Sequence, residues 1–271
     1  HPPLGKLLIS LGILIFGMTP FGWRFAGTLC GIIMLPVMYV FAKKMFNSTK
    51  AALFAILLTA LDFMHFTQTR IATIDVFVTL FIIISYYFMY LYVCKSFYDT
   101  PLKKTLLPLG LSGLFFGFAA ASKWTGIYAG AGLCVIFFIS ISKRIYEYVK
   151  ITSLKSASAE DKKKVRVLKK NTALTLLFCI AVFVIVPVMI YCASYIPYLK
   201  APGMQGIKSI IENQKSMFDY HSTLKATHPY SSFWYQWPFI SRPVWYYTNS
   251  LGGGMRREQA DPVRRRLIRR R

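Results

Sequence analysis

Apolar runs near the length of a bilayer crossing, separated by short polar connections, set the pattern of this chain. A spanning helix needs about 20 predominantly apolar residues, within a range of roughly 17 to 25. Residues 25–42, 51–68, 71–94, 106–121, 127–141 and 172–195 approach or reach that length, so about six spans are expected. The second run is interrupted by Asp62 and His65. Residues 7–18 form an apolar run too short for a crossing and are expected to make an interfacial, re-entrant or truncated helix. Pro2 and Pro3 ahead of it suit a helix start, because the first-turn N–H groups have no intrahelical acceptor anyway. The expected fold class is all-α, a polytopic transmembrane helical bundle.

Composition agrees with that pattern. A content of 55% hydrophobic and 16% aromatic residues points to lipid as the solvent. The net charge of +23 would ordinarily suggest nucleic acid or an anionic surface. Its distribution argues otherwise: all 20 Lys precede residue 226, whereas 8 of the 13 Arg fall within 256–271. No nucleic-acid partner is expected. Residues 248–271 therefore read as a foreign or out-of-frame tail, with a juxtamembrane basic segment holding anionic lipid as the alternative. The five cysteines lie in or beside apolar runs without metal-type spacing and read as small hydrophobes.

Loop charge orients the bundle. The connections 43–50, 95–104 and 143–170 carry 3, 3 and 10 Lys plus Arg, and the alternate connections carry one each, Arg70 and Lys123. By the positive-inside rule the lysine-rich loops are cytoplasmic, and 143–170 reads as a solvated linker. Arg24, Arg70, Lys123 and the segment 196–246 then share the extracytoplasmic face.

Charges retained at the membrane boundary are functional hypotheses by default. Arg24, Arg70 and Lys123 would suit a phosphate-bearing lipid, since Arg makes bidentate phosphate contacts and Lys supplies a mobile point charge. The plain alternative is snorkelling to headgroups. Arg70 and Asp75 would lie about 140° apart on one helix, so they are expected to have different partners. For Asp75 a structural ion pair with another helix and a site role both stand. Asp62 and His65 share a helical face, which is too little to assign a metal. The aromatic stretch containing His221, His228 and Trp237 fits an interfacial belt and a sugar-binding surface equally.

Five collinear segments carry a resemblance: the His1-Pro2-Pro3-Leu4-Gly5-Lys6 entry, the span start around Arg24, Thr69-Arg70 with Asp75, Ser122-Lys123-Trp124, and the stretch from His228 to Trp237-Pro238 and Arg242-Pro243. Over most of residues 1–247 the chain resembles the protein O-mannosyltransferases, membrane glycosyltransferases of the GT-C type. The resemblance implies residues 1–195 as a transmembrane helical region and 196–247 as an outer aromatic-rich loop of one transferase domain. It also implies transfer of mannose from a polyprenyl phosphate donor to Ser or Thr hydroxyls of an exported acceptor protein, in the cell membrane, with no cofactor beyond the donor lipid. Arg24, Lys123 and Arg70 would hold the donor phosphate, and His221, His228 and Trp237 would face sugar or acceptor.

The family's acidic pair lies upstream of the Pro-Pro-Leu-Gly-Lys entry, so no catalytic carboxylate is assigned to this chain. The absence of a starting Met reads as an excised piece, expected to be inactive alone. Too few residues separate Tyr195 from His228 for the soluble insertion of eukaryotic members, which favours a bacterial type. Alternatives are a related lipid-carrier glycosyltransferase with a lipid or glycan acceptor, and a transporter. The transporter reading calls for charges near span centres, whereas these cluster at span ends.

Overall fold

In the computed structural model the described residues are 1–95, 100–153, 158–159, 167–200, 203, 205–224, 231–239 and 241, with backbone alone for Trp234, Trp237 and Pro238. The chain divides into two units, His1–Ser222 and Thr223–Arg271. Among the described residues all regular structure is helical. The first unit runs α1 (Leu4–Phe16), α2 (Pro20–Phe46), α3 (Thr49–Leu61), α4 (Phe63–Gln68), α5 (Asp75–Val93), α6 (Leu102–Ser122) and α7 (Thr125–Ser153). A long helical stretch follows, made of α8 (Leu168–Ile180), a wider π turn (Ala181–Ile185), α9 (Val186–Ser194) and α10 (Ile196–Leu199), and then α11 (Ile207–Thr223). Among the described residues five helices are long and apolar enough to cross a membrane: α2, α5, α6, α7 and the stretch Leu168–Leu199. In the second unit a 3-10 turn spans Trp234–Phe239, and the Phe233 N–H donates to Gln236 Oε1 at 2.9 Å.

The expected span over residues 51–68 is not one helix. Asp62 breaks it: the residue adopts φ −64°, ψ 117°, and its Oδ1 accepts a hydrogen bond from the Met64 N–H at 2.8 Å. A carboxylate that caps a new helix start competes with the helix it would otherwise continue. α3 and α4 together still return the chain to the end where α2 began, since Thr28 Oγ1 donates to the Thr69 carbonyl at 2.9 Å. At the opposite end α2 passes to α3 through a tight turn. Asn47 takes φ 48° as the C-cap, and Ser48 caps the next helix by accepting from the Ala51 N–H.

Several boundaries move from their expected places. Pro20 stands at the first position of α2, and Thr19 Oγ1 accepts from the Gly22 N–H at 3.1 Å, so Arg24 lies inside the helix. α7 continues to Ser153, and Arg144, which the charge pattern assigned to a solvated linker, is only 4% exposed. Its guanidinium lies 4.5 Å from the Tyr92 ring centroid and donates to the Tyr92 hydroxyl at 2.7 Å and the Lys95 carbonyl at 2.9 Å. A cation is thus placed on the C-terminal end of α5, where the helix dipole favours it.

Lipid does not drive helices together as water does, so close packing and small residues carry the association. α6 is the most enclosed span, with 56% of its apolar window buried, against 17% for the stretch Leu168–Leu199. One cluster joins Met89 and Tyr92 of α5, Leu109 of α6 and Leu133 and Phe137 of α7; a second joins Met34 of α2 to Val76, Phe77 and Leu80 of α5. At Gly113 the helices meet backbone to backbone, since a Cβ there would stand 2.4 Å from the Val182 carbonyl oxygen. Val182 belongs to the π turn that leads into Pro187, whose ring would strike the Phe183 carbonyl in a regular α-helix.

The short helix α1 touches α2, α5, α6 and α9 and so lies at one end of the bundle. Close approach to α2 is possible because Gly12 faces the Gly22 carbonyl oxygen, which a Cβ would meet at 2.4 Å.

Candidate functional site

The end of the bundle covered by α1 gathers the start of α2, the α4–α5 connection and the α6–α7 turn. Arg24 lies one turn inside α2, and Arg70 follows α4. Both line one cleft of about 540 Å³, shared with Pro20, Phe21, Phe25, Thr28, Leu29 and Ile32. Phe21, Leu29 and Ile32 are exposed, at 61%, 43% and 59%, so the cleft wall faces the surroundings with apolar groups. From Phe21 to Ile32 the helix rises about 16 Å, roughly half the thickness of a bilayer's hydrocarbon core. The Arg70 guanidinium sits 4.6 Å from the Phe66 ring centroid. Neither Arg24 nor Arg70 has a carboxylate partner at salt-bridge distance among the described residues. Two uncompensated guanidinium groups and the N-terminal end of α2 therefore present positive charge at the head of an apolar groove. Such an arrangement suits an amphiphile with an anionic head.

Lys123 takes a different place. It stands in the turn between α6 and α7 and donates from Nζ to Asp75 Oδ1 at 2.7 Å, with side chains 22% and 48% exposed respectively. Asp75 opens α5, where a carboxylate also complements the helix dipole. The pair ties α5 to the α6–α7 turn, and Arg70 and Asp75 do have different partners. The structure thus brings Arg24 and Arg70 together and leaves Lys123 outside the residues that line their cleft.

Beside Lys123, the Trp124 indole donates from Nε1 to the Tyr191 hydroxyl at 3.1 Å. Tyr191 donates onward to Gln214 Oε1, and Gln214 Nε2 donates to the Tyr195 hydroxyl at 2.7 Å. This chain of polar contacts holds α11 against the end of α9. The exposed ring of His221, on the last turn of α11, comes to lie 6.3 Å from Trp124 and 5.9 Å from His1 between ring centroids.

His228 lies outside the described residues, and so do the side chain of Trp237 and all of 248–271. Sequence reasoning did not single out Tyr191 or Gln214. Tyr191 reads as one more aromatic at a span end, and Gln214 as one polar residue on an amphipathic helix; only their juxtaposition distinguishes them. Among the described residues no group of three or more His, Cys, Asp or Glu could hold a metal ion.

Residues 1–157 match the family described as dolichyl-phosphate-mannose-protein mannosyltransferase. The chain is 26% identical to a polyprenol-phosphate-mannose–protein mannosyltransferase of Mycolicibacterium smegmatis, over 91% of this chain and 52% of that protein. Identity is again 26% to the protein of that name in Mycobacterium tuberculosis, with the same 91% and 52% coverage. For Corynebacterium glutamicum it is 24%, over 95% of this chain and 55% of the relative. The chain spans about half the length of the curated relatives it matches. No solved structure matches it.

Proposed function

The chain belongs to the dolichyl-phosphate-mannose-protein mannosyltransferase family, and on that premise we propose that the whole protein moves mannose from a polyprenyl phosphate carrier to Ser or Thr hydroxyls of exported proteins. The observation that carries this reading is the convergence of Arg24 and Arg70 on one apolar-walled cleft. The carrier phosphate rests on the two guanidinium groups, and its isoprenoid chain follows α2 into the membrane. As the bond from the sugar C1 to the phosphate oxygen breaks, the leaving phosphate gains negative charge, which these cations stabilise. Lys123 is the third donor-phosphate cation of this proposal and reaches the phosphate by exchanging its contact with Asp75. His221, beside Trp124, faces the sugar or acceptor, a role shared with His228 and Trp237. The base that takes the acceptor's hydroxyl proton is assigned to no residue of this chain. The site opens on the extracytoplasmic face of the cell membrane, opposite the lysine-rich loops, and no cofactor beyond the donor lipid is included.

The test uses the full-length enzyme in lipid nanodiscs with labelled polyprenyl phosphate mannose and an exported Ser/Thr-rich protein. Label should be recovered on the protein in a bond cleaved by β-elimination. Arg24→Ala and Arg70→Ala should each lower kcat/KM for the donor by roughly 10- to 150-fold, the loss of one charge-assisted contact of about 1.5–3 kcal/mol. Label recovered only in a glycolipid, or transport of a solute with no glycosyl transfer, would sink the reading.

A further inference from the structure

We propose that α11 is an in-plane membrane helix, seated in the headgroup region beside the bundle with Ile207, Ile211 and Phe218 sunk among lipid chains. At 100° per residue these three positions fall within about 40° of one another, and they are 74%, 62% and 63% exposed. The face packed inward is a different one, carrying Ile210, Asn213, Gln214 and the buried Met217, about a quarter-turn away. Among the described residues nothing covers this apolar strip, which lies beside the packed face rather than on it.

The depth of the helix identifies what covers that strip. Gln214 is hydrogen-bonded to both Tyr191 and Tyr195, which lie in the last part of the candidate span Leu168–Leu199. A helix whose middle is hydrogen-bonded to the end of a span has that middle at the membrane–water boundary, where Tyr is itself favoured. Met189 and Ile196 of that span are exposed apolar residues as well. The remaining arc fits the same placement. Lys208, Glu212, Lys215 and Asp219 lie opposite the packed face, and Lys208 pairs with Glu212 at 3.9 Å. Equal numbers of opposite charges give no preference for anionic lipid, so apolar burial holds the helix down. His221, on the same helix, is thereby kept at headgroup depth.

The test places a nitroxide at single sites along α11, by Ile207→Cys, Lys208→Cys, Ile211→Cys, Glu212→Cys, Ser216→Cys and Phe218→Cys. The background is a full-length chain whose native cysteines are replaced, reconstituted in zwitterionic nanodiscs. Collisions with oxygen and with a water-soluble nickel chelate are then compared at each site. Oxygen should prevail at 207, 211 and 218 and nickel at 208, 212 and 216, a pattern with the period of one helical turn. High nickel access at 207, 211 and 218 would place the strip in water and overturn the proposal. Low access to both reagents there would mean that protein covers it, with the same result. A pattern that needs anionic lipid would overturn the claim that apolar burial holds the helix.

Discussion

If Lys123 joins the donor phosphate, it must give up Asp75, so neutralising Asp75 should improve donor binding. The contact is a charge-assisted hydrogen bond of 2.7 Å between a mostly covered ammonium and a half-exposed carboxylate. Buried contacts of this kind contribute about 1.5–3 kcal/mol and exposed ion pairs about 0.2–1 kcal/mol. With 22% and 48% exposure, about 1 kcal/mol is a reasonable figure, equivalent to roughly five-fold in an equilibrium constant. Asp75→Asn should therefore raise donor affinity about five-fold. The same change should lower stability, because it weakens the tie between α5 and the α6–α7 turn and removes a carboxylate worth about 0.3–1 kcal/mol at a helix start. Lys123→Met should weaken donor binding, and in that background Asp75→Asn should have no further effect on affinity. Equilibrium binding of a polyprenyl phosphate mannose analogue to the full-length protein in nanodiscs, with thermal unfolding alongside, measures all four corners of the cycle. The reasoning fails if Asp75→Asn weakens binding as much as Lys123→Met does, or if its effect is the same with Lys123 absent.

Arg144→Met should cost about 3 kcal/mol in unfolding measurements, since it removes charge-assisted bonds and a ring contact, whereas Tyr92→Phe should cost about 1 kcal/mol. Gly113→Ala should lower both thermal stability and membrane yield by forcing α6 away from the π turn, at about 1–3 kcal/mol, while the donor KM of the folded fraction stays unchanged. Asp62→Asn should be nearly neutral, because an amide oxygen can still cap α4, and Asp62→Leu should cost about 0.5–2 kcal/mol by thermal unfolding.

The helical class and most of the crossings were legible because lipid imposes a length requirement that residues such as 71–94 and 172–195 satisfy directly. In the sequence Asp62 reads as an interruption of a span, but its competition for the Met64 N–H is a local backbone event to which hydropathy is blind. The burial of Arg144 is hidden for a related reason: charge counting treats every cation in a connection as solvated, and only packing against Tyr92 shows that one of them is buried. At the site, the motifs singled out Arg24, Arg70, Lys123 and Asp75. Their grouping into a cleft and a separate ion pair depends on helix starts at Pro20 and Asp75 that apolar content alone puts several residues away.

The break at Asp62 also bears on how the chain enters the bilayer during synthesis. α3 has 13 residues, about 20 Å of helix against a hydrocarbon core of about 30 Å. Its continuation begins with a carboxylate about two-thirds of the way across, which carries part of the about 2.5–3.5 kcal/mol that insertion scales assign at mid-depth. Released alone from a translocon, this segment would slip back toward water. α2, with 27 residues, spans amply, and the left-handed Asn47 followed by Ser48 turns the chain sharply between the two. Partitioning into lipid is therefore expected to take α2 and α3–α4 as one helical hairpin, the strong segment carrying the weak one, and lengthening the Asn47–Ser48 turn should appear first as failed insertion.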